Sequence, residues 1–210
     1  MRLLILGATG LVGSHVLKQA IERDEIEYIV APVRREINSH TKLYSPIINF
    51  DQVTSAMLKE WNVDVVICAL GTTIKVAGSK EAFKKVDLEY PLTFARCAKD
   101  AGVEVFVLNS AMGANESSIF FYNKVKGKLE NALMDLHFKS LYLVRPGLIG
   151  GEREEFRLGE LIAKFFLKAL HYILPKSLRI NPASSIAKVM LEAAIEQRAG
   201  IKIMTSDRLT

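Results

Sequence analysis

Three glycines at three-residue intervals stand in the run Gly7-Ala8-Thr9-Gly10-Leu11-Val12-Gly13, near the start of this 210-residue chain. The run directly follows the apolar stretch Leu3 to Leu6 and leads into a segment with helical periodicity, so the glycines occupy a strand-to-helix turn. Such a turn suits a diphosphate. Gly7 permits the tight bend, Gly10 lets the main chain approach the anion with no Cβ in between, and Gly13 lets helix and strand pack closely. Around Thr9, Leu11 and Val12 the helix N-terminus offers free N–H groups and a favourable dipole. The alternative is a plain tight turn. A second group lies further along. Tyr122 and Lys126 are four apart and share a helix face, and Ser110 ends an apolar run at the carboxyl edge of the expected sheet, where open α/β folds bind ligands. Tyr-x-x-x-Lys alone is common; the glycine turn, the strand-end serine and their order in the chain give it weight.

The second apolar run ends in Val30-Ala31-Pro32-Val33-Arg34-Arg35, about twenty residues beyond the glycines, where dinucleotide sites discriminate between their two cofactors. A carboxylate there would favour NAD(H) through the ribose hydroxyl. Arg34 and Arg35 come first instead, and guanidinium groups bind a 2'-phosphate bidentately, so NADP(H) is preferred and NAD(H) is the alternative. Two solvated loop arginines are the competing reading. Asp51, after the third expected strand, is placed to border the adenine. Leu70, Gly71 and Thr72, after the fourth, pass their backbone along the cofactor.

The elements that must position these residues follow from hydrophobic patterning. Apolar runs at Leu3–Leu6, Tyr28–Ala31, Ile47–Phe50, Val63–Leu70, Val103–Leu108 and Leu141–Val144 are apolar on both faces, as parallel strands covered on each side require. Between them lie helical patterns at Val12–Arg23, Phe83–Ala101 and Phe121–Leu136, and a further one follows at Pro182–Gln197. The expected architecture is one α/β domain over residues 1–210, a doubly wound parallel sheet of the NAD(P)-binding Rossmann type, with residues 147–181 as a short substrate-side loop and helix region. Residues 156–174 mix apolar and basic side chains. They are a candidate for core or lid packing, for a homodimer or protein-partner surface, or for contact with a membrane surface.

Half of the residues are hydrophobic and 24% charged, which is a globular composition, and the net charge of +5 is spread along the chain rather than clustered. Nucleic acid is therefore not an expected partner. Cys68 and Cys97 sit in apolar contexts without metal-ligand spacing, so buried reduced thiols and no metal site are expected. The first apolar run is broken by glycines, and no stretch has the ~20 unbroken apolar residues of a spanning helix. No stable membrane insertion and a cytoplasmic location are the expectations.

Together these residues resemble the short-chain dehydrogenase/reductase superfamily in its extended or atypical branch. More closely, Cys68-Ala69-Leu70-Gly71-Thr72-Thr73, Asn109-Ser110-Ala111-Met112-Gly113-Ala114, Tyr122-x-x-x-Lys126-Gly127 and Val144-Arg145-Pro146-Gly147 are similar to the Tat-interacting-protein group of oxidoreductases. The resemblance implies that Tyr122 is a catalytic acid/base, that Lys126 binds the nicotinamide ribose and favours the phenolate, that Ser110 orients a substrate carbonyl and that Pro146 borders the cofactor. A phenol of ordinary pKa near ~10 needs such a cation to exchange protons close to neutrality. The relay asparagine of the family has no secure equivalent, Asp87 being nearest to its place. The short stretch after Pro146 departs from members with a large substrate domain, which counts against a sugar epimerase. The implied activity is hydride transfer to or from a small-molecule carbonyl or alcohol substrate, and the alternative is an NADPH-binding regulatory sensor with little turnover.

Overall fold

Leu3 to Leu6 are completely buried, and so are Val65 to Cys68 beside them, so these runs can only be central strands with a covered face on either side. The computed structural model describes residues 1–150 and 180–209. Its sheet comprises β1 (Arg2–Leu6), β2 (Tyr28–Val30), β3 (Leu43–Tyr44), β4 (Val65–Cys68), β5 (Val105–Asn109), β6 (Ser140–Arg145) and β9 (Gly200–Thr205). The spatial order is β3-β2-β1-β4-β5-β6-β9 and every pairing is parallel. Chain direction around the sheet therefore reverses between β1 and β4, the crevice where doubly wound sheets take ligands. The expected fold class is observed.

Side-chain alternation splits the core in two. Leu3, Ile5, Val65, Ile67, Val105 and Val107 pack toward α1 (Leu11–Ile21) and α7 (Ala183–Glu196). Leu4, Leu6, Val66, Cys68, Phe106 and Leu108 pack toward α2 (Ser55–Trp61), α5 (Tyr90–Asp100) and α6 (Phe121–Met134). Both cysteines are free and buried. Among the described residues no helix is long and apolar enough to cross a membrane.

Two local expectations are corrected. The third strand is Leu43–Tyr44 rather than Ile47–Phe50; Ile47 makes only a bridge to Val33, and the Asn49 side chain accepts from the Asp51 amide, turning Phe50–Gln52 into a 3-10 turn. The long helix near Phe83–Ala101 is α4 (Lys80–Lys84), a π turn (Lys85–Glu89) and α5 in succession, after a short α3 (Ile74–Ala77). Pro91 has no N–H to offer the carbonyl four residues back, and the helix widens just before it. The edge strand β9 was not legible, because Ile201 and Ile203 stay exposed and its pattern lacks a buried run. A small parallel pair, β7 (Ile149–Gly150) with β8 (Asn181–Pro182), brackets residues 151–179, so the helix and the 156–174 interface expected there lie outside the described residues.

The glycine turn has three distinct jobs. Gly7 has φ +83°, in the left-handed region, and a Cβ on it would stand 2.8 Å from the Ala69 carbonyl group. A Cβ on Gly13 would come within 2.0 Å of the Gly7 oxygen, whereas one on Gly10 would meet only that oxygen, at 3.3 Å. Gly13→Ala should therefore cost at least ~2 kcal/mol of stability in urea unfolding, while Gly10→Ala should unfold close to wild type. Equal midpoints for the two variants would refute this division of roles.

Candidate functional site

At the switch point lies a cleft of about 590 Å³. The expected residues Gly7, Thr9, Gly10, Arg34, Leu70, Gly71 and Thr72 all line it. Gly10 is the N-cap of α1 and no side chain caps this helix end, so its first N–H groups carry no side-chain acceptor. A diphosphate needs such uncapped donors beside a position without a Cβ, and these residues fit it. Leu11 and Val12 turn their side chains into the core and Gly13 is buried, so they offer the cleft backbone only. Arg35 is exposed and lies outside the lining.

Asp51 also lies outside the lining. Its carboxylate is held by the Lys85 ammonium at 2.8 and 3.0 Å, a contact that keeps it more acidic than an ordinary aspartate. Lys85 in turn stands 5.6 Å from the centre of the Tyr90 ring, and Asn49, Val86 and Tyr90 complete that end of the cleft. Sequence reasoning missed these three, because an amide in a loop, a valine on a π turn and a tyrosine at the start of α5 form no motif.

Asp87, Tyr122 and Lys126 lie outside the lining, and Asp87 adjoins it through Gly71 and Thr72. Lys126 is 3% exposed and Asp87, on the π turn, is 1% exposed; ammonium and carboxylate are 2.9 Å apart. The second Asp87 oxygen accepts from the Thr72 amide at 2.8 Å, which ties the pair to the cleft wall. Burial depresses the Lys126 pKa, but Asp87 and then Tyr122 more than offset it, and the ammonium is held above the ordinary lysine value. Tyr122, one helical turn before Lys126, is 39% exposed; its ring centre lies 6.0 Å from the ammonium, and its hydroxyl has no hydrogen-bond partner among the described residues. The structure thus brings Tyr122 and Lys126 together.

Ser110 goes elsewhere. It is buried and donates to a Glu130 oxygen at 2.5 Å, and Arg145 binds the same carboxylate with both Nε, at 3.0 Å, and a terminal nitrogen. Glu130 is 1% exposed and lies one turn beyond Lys126 on the same face of α6. A hydroxyl committed to a buried carboxylate differs from the substrate-facing one that the resemblance implies. Glu130 and Arg145 were missed as partners; the eight-residue spacing from Tyr122 to Glu130 was their available signal. The Pro146 carbonyl accepts from the Met112 amide at 2.8 Å, which positions the loop before α6 and lies outside the cleft lining.

A family model described as HIM1 matches residues 36–176, more than half of the chain. The chain belongs to the HIM1 family. Among curated relatives of this HIM1 chain, the protein FMP52, mitochondrial, of Meyerozyma guilliermondii is 43% identical over 73% of this chain and 67% of its own length. FMP52-1, mitochondrial, of Scheffersomyces stipitis is 35% identical over 93% and 89%. Among solved structures, MoeE5 in complex with UDP-glucose and NAD superposes with a TM-score of 0.73 at 14% identity, covering 97% of this chain and 75% of that one. UDP-glucose 4-epimerase of Thermotoga maritima gives 0.70 at 14%, covering 100% and 78%. At such identity the likeness is one of fold, and the expected Rossmann-like α/β architecture stands. The relatives found bear FMP52 names and lend no support to the narrower Tat-interacting-protein likeness. The cytoplasmic expectation is overturned, because the curated relatives are named as mitochondrial proteins. An apolar N-terminal run spent on a buried first strand says nothing about compartment.

The buried Ser110–Glu130–Arg145 cluster in this HIM1 chain makes a measurable claim. Glu130→Ala strands Arg145 and should cost about 3–5 kcal/mol in urea unfolding, and Ser110→Ala about 1–3 kcal/mol. A Ser110→Ala protein of unchanged stability would return the serine to a substrate-facing role.

Proposed function

We propose that this HIM1-family chain is a nicotinamide-dependent oxidoreductase that prefers NADP(H) over NAD(H) and interconverts a small carbonyl with its alcohol. The observation that carries the reading is an uncapped glycine turn on a cleft whose wall, at Gly71 and Thr72, adjoins the buried Lys126–Asp87 pair, with Tyr122 one helical turn from Lys126. Fold neighbours crystallised with NAD support a nicotinamide cofactor, and the resemblance to Tat-interacting-protein oxidoreductases supports the small carbonyl. Bound in the cleft, a nicotinamide cofactor would supply or accept the hydride. Tyr122 gives its phenolic proton to the carbonyl oxygen as the alcohol forms and takes it back in the reverse direction, while Lys126 stabilises the phenolate left behind. The relatives' names support a mitochondrial location.

A second reading has an observation of its own. Ser110 is bonded to Glu130, and its neighbour Ala111 has no hydroxyl to replace it, so a substrate carbonyl loses one expected partner. That favours a protein that binds NADPH as a sensed ligand with little turnover.

Tyr122→Phe separates the two. Under the oxidoreductase reading it should leave NADPH affinity nearly intact and lower kcat with a dicarbonyl or quinone by about 100-fold or more, whereas Lys126→Ala should damage binding and turnover together. A wild-type protein that binds NADPH, oxidises it with no carbonyl and behaves identically after Tyr122→Phe would establish the sensor.

Cofactor preference rests on Arg34, which lines the cleft, more than on Arg35, which does not. Arg34→Ala should weaken NADPH by about tenfold or more and hardly alter NADH, and Arg35→Ala should have the smaller effect. Equal losses of both cofactors would remove the 2'-phosphate assignment.

A further inference from the structure

Gly71 lines the cleft, yet its φ is not among the positive values, so its backbone conformation is open to any residue. Space is then the reason for a glycine. A Cβ built on Gly71 would meet only two atoms within 4 Å: Asp87 Oδ1 at 3.3 Å and Lys126 Nζ at 3.9 Å. Gly71 thus stands between the cleft and the buried ion pair with no side chain of its own.

What stands behind Gly71 is incompletely satisfied. Asp87 Oδ2 accepts from the Thr72 amide. Asp87 Oδ1 lies 2.9 Å from Lys126 Nζ, but it is buried without a well-directed hydrogen bond. An ammonium carries three N–H donors, and among the described residues Lys126 has Asp87 as its sole ionic partner. Tyr122 and Cys68 are the other titratable groups that act on it, and burial pushes the Cys68 thiol up to about 12, which leaves it protonated. An anionic acceptor and a cationic donor therefore stand side by side directly behind Gly71, both buried and outside the cleft lining. Two adjacent hydroxyls on one ring fit that pair, one donating to the carboxylate and the other accepting from the ammonium.

We infer that Asp87, reached through the gap at Gly71, is a ribose-binding residue that works with Lys126 to hold the vicinal diol on the nicotinamide side of the cofactor. The inference rests on the dinucleotide reading of the cleft. It assigns Asp87 a ligand contact of its own and explains Gly71 by what it leaves open.

The test is equilibrium titration of wild type, Gly71→Ala and Asp87→Asn with two probes, NADPH and adenosine 2',5'-bisphosphate, which lacks the nicotinamide half. Both variants should weaken NADPH by about tenfold or more, since a hydrogen bond to a charged group is lost, and leave the bisphosphate within about twofold of wild type. Should Asp87→Asn fail to fold with Lys126 left unpaired, Gly71→Ala decides alone, because its new Cβ touches no backbone. NADPH affinity within about twofold of wild type in the folded variants overturns the inference. So does an equal loss of both probes, which would mean a displaced loop. A wild-type protein that binds neither probe refutes the dinucleotide reading itself, and the inference falls with it.

Discussion

A carboxylate and an ammonium removed from water together cost several kcal/mol per ion, and only close mutual approach with further hydrogen bonding offsets that cost. Asp87 and Lys126 meet that condition at 2.9 Å, with the Thr72 amide on the second carboxylate oxygen. Three separate elements are thereby joined: α6, the π turn before α5, and the loop leaving β4. Neither ion can move without stranding the other. The position of α6 against the switch point follows, and with it the position of everything else on that face of the helix.

That face is graded. Tyr122, Lys126 and Glu130 succeed one another at single-turn intervals, from a half-exposed phenol to an ammonium with one partner to a carboxylate with two. The Tyr122 end is wet and the Glu130 end is dry. Gly127 lets the loop before α6 lie directly on the helix, since a Cβ there would stand 2.2 Å from the Asn115 and Glu116 backbone. Ser110, at the end of β5, meets Glu130 because the dry end of this stripe is what β5 and β6 pack beneath. The serine binds the sheet to the helix that carries Tyr122.

The cleft has a second anchor at its other end, where Lys85 and Asp51 face each other across the same π turn that supplies Asp87. One widened helical turn thus carries Lys85 for one ion pair, Asp87 for the other and Val86 for the cleft lining. The HIM1 chain shares its fold with a UDP-glucose 4-epimerase, but fold alone carries no chemistry. Its own chemistry lies in what α6 and this π turn present.

The amino-acid sequence by itself determined the central strands, the glycine turn and the pairing of Tyr122 with Lys126. Each is written in local spacing: apolar runs buried on both faces, glycines three apart in a strand-to-helix turn, and two residues one helical turn apart. It carried no sign of β9, whose exposed edge breaks the buried pattern, or of compartment. Tertiary structure alone decided which partner each buried ion took. Asp87 and Lys126 are 39 positions apart in sequence numbering, and Ser110, Glu130 and Arg145 come from three different elements. Charge pairing at that separation depends on packing geometry that no local spacing encodes. For the same reason Ser110, legible as a strand-end hydroxyl, acquired its actual partner only when α6 came down on the sheet.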